Sequence, residues 1–207
     1  MSGVLETKDR ILNVAEELFG EEGVDRVSVR DVPERAGVNV AAINYHFGSK
    51  EELIAAVFMR RLGPLNAARL ELLTRAEREA GASGPTVEKI LEAFILPAVS
   101  CCQQHAGKGA GAFAKLMGRC LAENRPEVES LLKEQFTPIV TRFEKALMKA
   151  LPGLSRSDVY WRLKFTFGAL HHWLVTREKF LPAWTDKTTT EEQVRKLIGF
   201  TAAGFRG

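Results

Sequence analysis

Arg30, Asn44, Tyr45, His46 and Lys50 gather five different hydrogen-bonding side chains beside the small run Val40-Ala41-Ala42. Guanidinium, amide, phenol, imidazole and ammonium groups bond phosphate oxygens and base edges, and small side chains at the start of a short helix let it enter a DNA major groove. That is the chemistry of noncovalent recognition. Nothing in the chain pairs carboxylates, sets a nucleophile beside a base or spaces ligands for a metal, so the expectation is no enzyme, no cofactor and no metal site.

Such groups need a rigid mount, and the stretch from Ser28 to Leu53 predicts one. The Ser28 hydroxyl can accept a free backbone N–H of a helix start, Ala36-Gly37 ends that helix where glycine tolerates the left-handed conformation, and Asn39 caps the next helix. Val29, Val32, Ala36, Val38, Ile43 and Phe47 supply the apolar positions between the two helices. Arg30, Val40, Ala41, Ala42, Asn44, Tyr45 and His46 are then left facing outward, which is a helix-turn-helix. Ser49-x-x-Glu52 writes a capping box, so Lys50 falls in the first turn of a further helix, where its ammonium and the free N–H groups can hold a phosphate. Ahead of these, Ile11, Val14, Ala15, Leu18 and Phe19 share one face of a helix over Thr7 to Glu22 that Gly23 closes.

Ala36-Gly37-Val38, Ile43, Tyr45-His46-Phe47, Ser49-Lys50-Glu51-Glu52-Leu53 and the first-helix pattern Ile11, Ala15, Leu18-Phe19, Gly23-Val24 form a set far more specific than a bare helix-turn-helix. Through them, over residues 8 to 58, the chain resembles the TetR family of bacterial one-component repressors. Ala93-Phe94-Ile95-Leu96-Pro97 and Phe167-Gly168-Ala169-Leu170 look like a branch that includes fatty-acid-responsive, PsrA-like regulators. The resemblance implies an all-α protein with a three-helix DNA-binding domain over 1–53, a connecting helix over 49–62 and a larger helical effector-binding and dimerisation domain over 64–207. It implies a repressor that holds a palindromic double-stranded DNA operator as a homodimer and is released by a small hydrophobic effector, such as a fatty acid or acyl-CoA. DNA contacts would come from Ser28, Arg30, Val40, Ala41, Ala42, Asn44, Tyr45, His46 and Lys50: Arg30 on a base edge or phosphate, Val40 to Ala42 on thymine methyls, and Tyr45, His46 and Lys50 on phosphates. A solvated surface role for Arg30 and packing of His46 on Phe47 stay open beside these.

Two residues depart from the family pattern. Pro33 stands where alanine is usual; it lacks an N–H and crowds the carbonyl of Val29, which predicts a loosened or bent second helix at a cost of up to about 3 kcal/mol. Asn44 stands where an aromatic is more common, which removes a phosphate or packing contact or turns it into a polar one.

Composition is consistent with a globular chain: 207 residues, 45% hydrophobic and 27% charged, support a substantial core. No run approaches the roughly 20 apolar residues of a membrane span, and the first residues lack the regions of a signal peptide, so the expected location is the cytoplasm with no membrane partner. Net charge is +3, yet residues 1–60 hold seven Lys/Arg against eleven Asp/Glu. DNA affinity must then come from a few placed cations and helix N-termini, with Glu16, Glu17, Glu21 and Glu22 turned elsewhere. Cys101, Cys102 and Cys120 read as reduced buried thiols or as a redox-sensing set. Gly107-Lys108-Gly109-Ala110-Gly111 lacks the order of a phosphate-binding loop and reads as a flexible link.

Beyond a boundary expected at Gly63-Pro64, every periodic segment predicts helix: 65–80, 86–104 with a kink or break at Pro97, 112–124, 126–151 with a kink at Pro138, 155–180 and 190–205. Leu91, Phe94, Phe113, Leu116, Met117, Phe136, Val140, Phe143, Trp161 and Phe165, with Trp173, are candidates to line an apolar effector pocket, or are plain core. His105, His171 and His172 are candidate polar anchors for a carboxylate or thioester headgroup, or ordinary surface and core residues. Phe167, Ala169, Leu170, Phe200 and Ala203 lie on the last two helices, the pair that by resemblance forms the dimer bundle; intrachain packing would select the same residues. The competing class is an all-α lipid-binding or protein-interaction module without sequence-specific DNA binding.

Overall fold

The computed structural model describes residues 2–103, 111–122, 126–176 and 188–207. Among them the chain forms nine α-helices and no strand: α1 Ser2–Glu22, α2 Asp31–Ala36, α3 Val40–Phe47, α4 Lys50–Ala80, α5 Val87–Gln103, α6 Ala112–Ala122, α7 Pro126–Ala150, α8 Arg156–Thr176 and α9 Thr190–Arg206. The fold is all-α, as the periodicity predicts. Two compact units form, one from Met1–Gly63 with Cys102–Glu134 and one from Pro64–Cys101 with Gln135–Gly207. No described helix is long and apolar enough to cross a membrane.

In the first unit the apolar stripe of α1 is buried through Ile11, Leu12, Ala15, Leu18 and Phe19, together with Val32, Ile43, Phe47, Val57 and Phe58. α6 packs along α1, and the contact requires glycine at position 20: a Cβ there would lie 2.6 Å from the carbonyl oxygen of Ala112. Arg119 reinforces it by donating to the Glu21 carbonyl at 2.7 Å, one of the acceptors a helix end leaves free. Glu16 is buried on α1 and takes the Arg60 guanidinium at 2.6 Å and that of Arg61 at 2.7 Å. Arg60 also donates to Asn13 at 2.8 Å. A buried carboxylate held by two cations ties α1 to α4, and this is where one of the excess acids of the N-terminal segment goes.

α4 runs unbroken through Pro64, against the expected break. Proline keeps a helical φ and forfeits one hydrogen bond, here to the Arg60 carbonyl. Buried Leu53, Ile54, Val57, Phe58 and Leu62 before it and Leu65 and Leu73 after it gain more from one continuous buried stripe than that rung is worth. Pro97 and Pro138 likewise sit inside α5 and α7 without dividing them. The expected link over 107–110, His105, the last residues of the helix expected over 112–124 and residues 177–180 lie outside the described residues.

The second unit buries Ile90, Leu91, Phe94 and Ile95 of α5 with Phe143 and Leu147 of α7; the rings of Phe94 and Phe143 meet edge-to-face at 5.2 Å. Arg142 pairs with Glu77, and Arg206 with Glu88. α8 and α9 pack together: Trp173 donates to Gln193 at 2.9 Å, Arg162 donates to the Phe205 carbonyl, and Thr189 and Glu192 close a capping box at the start of α9.

The pocket candidates are spread over both units. Trp161 and Phe165 are 48% and 66% exposed on α8 and line no interior. Phe113, Leu116 and Met117 belong to the first unit, where Phe113 meets Phe58 at 5.8 Å, whereas Leu91, Phe94, Phe136, Val140 and Phe143 belong to the second. A groove of about 480 Å³ in the first unit, lined by Glu51, Ile54, Glu127 and Leu131 among others, shares none of them. His171 stacks on Phe167 and His172 is exposed. Of the dimer set, Leu170 is buried within its own chain, while Phe200 is 73% exposed.

Because Glu16 neutralises two guanidiniums in a partly dry site, Glu16→Ala should cost roughly 3 kcal/mol in urea unfolding, against about 0.5 kcal/mol or less for Glu17→Ala.

Candidate nucleic-acid interface

The turn into α2 is built by Ser28 and Asp31. The Ser28 N–H donates to the Asp31 carboxylate at 2.5 Å, the Arg30 N–H donates to the Ser28 hydroxyl at 3.2 Å, and the Asp31 N–H donates to the Ser28 carbonyl at 3.3 Å. The regular helix starts at Asp31, with Arg30 at the cap position, two residues later than a cap at Ser28 predicts, and Pro33 is the reason. Its nitrogen has no hydrogen to give the Val29 carbonyl, so the first α-type bond runs from Glu34 to Arg30. Pro33 therefore sits in the first turn, where N–H groups lack intrahelical partners in any case, and the loosening expected of an interior proline does not arise. At the other end Gly37, at φ +62°, and Val38 donate to Glu34 and Pro33 carbonyls, the paired bonds that stop a helix on a left-handed residue.

Asn39 caps α3 by accepting from the Ala41 N–H at 2.9 Å. Ser49 and Glu52 exchange bonds of 3.1 and 3.2 Å and cap α4, which places Lys50 in its first turn. Between these caps Val32, Ala36, Ile43 and Phe47 are buried. The opposite face of the pair is open: Tyr45 is 80% exposed, Arg30, Val40, Ala41 and Asn44 are exposed, and Ala42, His46 and Lys50 are half-buried. The ring of His46 meets Tyr45 at 5.1 Å and Phe47 at 6.0 Å, so the packing contact with Phe47 exists and leaves the ring edge accessible. Ser28 is exposed, but its oxygen already accepts within the turn. One cation escaped the sequence reading: exposed Lys8 of α1 lies 5.8 Å from the centre of the Phe47 ring. No local motif marks it, because it reaches α3 only through the packing of α1.

Hydrogen bonding from Ser28, backbone first, and the charge of Lys50 hold the Asp31 carboxyl below its ordinary 3.8. A folded-state value below the unfolded one adds stability above the ordinary carboxylate range and loses it as pH falls through the lowered value. Stability of the wild type should therefore fall more steeply below that range than stability of Asp31→Asn, as thermal unfolding at stepped pH would record.

Residues 92–204, more than half of the chain, match the family described as "Tetracyclin repressor-like, C-terminal domain", and residues 11–57 match "Bacterial regulatory proteins, tetR family". The HTH-type transcriptional regulator TtgR of Pseudomonas putida is 42% identical over 52 residues, 25% of this chain and 25% of TtgR, so the match spans a quarter of that relative's length. The HTH-type transcriptional repressor KstR2 of Rhodococcus jostii is 25% identical over 176 residues, 85% of this chain and 81% of KstR2. The solved structure of the fatty acid degradation regulator FadR from Bacillus halodurans has the same fold, with a TM-score of 0.70 at 15% identity over 95% of this chain and 98% of that one. Two family matches, one over 11–57 and one over 92–204, on a helix-turn-helix with an open recognition face, place this chain in the tetR family of bacterial regulatory proteins.

Proposed function

We propose that this chain is a transcriptional repressor that binds an inverted-repeat operator as a homodimer and leaves it when a small hydrophobic effector binds. The observation that carries the reading is the open face of α3 between its two caps. Val40, Ala41 and Ala42 allow the helix start to approach thymine methyls, and Arg30 reaches a base edge or phosphate from the turn into α2. Tyr45, His46 and Lys50 hold phosphates around it, and Lys8 adds a cation from α1. Asn44 takes a polar contact in place of an aromatic one, and Ser28 serves chiefly by fixing the backbone beside Arg30.

Residues 1–53 are the reading head, 49–62 the connection and 64–207 the effector and dimerisation body. One head makes few contacts, so specific affinity requires two heads on two half-sites. The support for dimerisation is the outer face of α8 and α9. Trp161, Phe165 and Phe200 are exposed there, and Gly168, Gly199 and Gly204 leave open space where a Cβ would stand. Large side chains beside small ones are what a second copy could interlock with, and Ala203 continues the stripe. Phe167 and Ala169 flank it, and Leu170 supports it from within. The work belongs in the cytoplasm, where the operator is. Effector control requires a ligand that binds the off-DNA state more tightly, by roughly 1–3 kcal/mol in typical cases.

Tyr45→Ala and Lys50→Ala should each weaken binding to a selected operator several-fold in fluorescence anisotropy, with Lys50→Ala also flattening the salt dependence by about one unit of slope. Thermal unfolding should stay near wild type because both side chains lie on the open face; unchanged operator affinity in both variants would remove them from the interface. Phe200→Asp should sediment as a monomer with its helix content intact and lose the operator. A Phe200→Asp dimer of wild-type affinity would place the dimer face elsewhere.

A further inference from the structure

Three acidic or basic side chains are buried among the described residues: Glu16, Glu144 and Arg69. Two of them have counter-charges. Glu16 faces Arg60 and Arg61, and Glu144 faces Arg156 at 3.2 Å. Arg69, only 1% exposed in the middle of α4, has no carboxylate within ion-pair distance among the described residues. Its Nε donates to the Phe94 carbonyl at 3.0 Å and its Nη1 to Asn66 Oδ1 at 3.3 Å, while the guanidinium lies 4.2 Å from the centre of the Phe94 ring. Asn66 is itself oriented, donating to the Gln135 carbonyl at 3.1 Å. All of these residues belong to the second unit.

A guanidinium carries five N–H donors, and two bonds leave three without a partner among the described residues. An uncompensated buried charge is costly, and folded proteins rarely keep one unless an anion meets it. Burial brings the group down to about 10, which still leaves it a cation at neutral pH. Cys101 is the neighbour that acts against that burial, and it is a thiol, not a carboxylate. The Phe94 ring that covers the guanidinium meets Phe143 edge-to-face, and both rings are buried.

We propose that Arg69 is the polar anchor of the effector site and that the effector is a monocarboxylic acid with an apolar body. One buried cation calls for one negative charge, and a carboxylate accepts two parallel N–H bonds from the free edge of a guanidinium. The body of the acid lies against Phe94 and Phe143. Asn66 and the Phe94 carbonyl fix the guanidinium plane, so the site is pre-organised for that geometry. The inference rests on the regulator reading of the body given above.

The test is calorimetric titration of the full-length protein with octanoate, dodecanoate and benzoate, against dodecanol and methyl dodecanoate, in wild type, Arg69→Met and Cys101→Ser. The expected result is that at least one acid binds wild type, with dodecanoate ten- to hundredfold tighter than dodecanol, about the worth of a hydrogen bond to a charged group. Arg69→Met should lose that preference and, without ligand, melt no lower than wild type, because it removes an unpaired charge. Cys101→Ser should keep the preference. Equal binding of acid and alcohol by wild type, binding of no acid in the set, or an undiminished preference in Arg69→Met would overturn the proposal, and the wild-type comparison stands even if a variant misfolds. Operator release separates the two readings. An acid that binds through Arg69 without displacing DNA sinks the effector role and keeps the anion site; release by dodecanol equally in wild type and Arg69→Met keeps the effector role and sinks the anchor.

Discussion

The carboxylate of Glu16 between Arg60 and Arg61 is the contact on which the N-terminal unit depends. It fixes α1 against the first half of α4, and the elements that carry the proposed DNA contacts are assembled on those two helices. α2 packs on α1, α3 packs on α2, and Lys50 is the first residue of α4. The same contact resolves the awkward charge balance. Residues 1–60 carry four more acids than bases, which as a uniform field would repel phosphate. Three of those acids hold the mount instead: Glu16 in the ion pair, Asp31 in the turn before α2 and Glu52 in the cap of α4. What faces outward is decided by placement, not by the total.

The helix-turn-helix was legible in the sequence because its determinants are local. Asn39, the Ser49–Glu52 box and Gly37 each act within four residues and are found where the capping rules put them. Pro33 differs from its expectation for a related reason: whether a proline costs a helix depends on which rung it occupies, and a start displaced by two residues puts it in the first turn. The continuity of α4 through Pro64 was not legible, since it is decided by burial on both sides of the proline. The face of α8 was not legible either. Tyr160, Trp161, Leu163, Phe165, Phe167 and Leu170 put apolar residues almost all round the helix, so only the packing of α9 shows that Trp161 and Phe165 point out while Leu163 and Leu170 point in. Arg69 did leave a trace, because it falls on the buried stripe Leu62, Leu65, Asn66, Arg69, Leu73, where a charge is out of place.

These placements bear on the rival reading, an all-α module that has lost DNA. The features that would favour it are Pro33 and the acidic N-terminal balance. Pro33 is accommodated without disturbing α2, and part of the acidic balance is taken up in caps and an ion pair. Gly20 and Arg119 bring α6 onto α1 within the same unit, so α6 shares a packed core with the proposed reading head. Interdigitated helices change between discrete packings more readily than they deform, which is the property a ligand-biased regulator needs.

In the proposed repressor two copies of this head read DNA together. Selection of bound duplexes from a random library by the purified protein at near-physiological salt, followed by sequencing, tests it directly. The account predicts an inverted repeat whose half-sites are spaced for two copies of α3 on one face of the duplex. Enrichment of nothing above background, or of single half-sites alone, would contradict it.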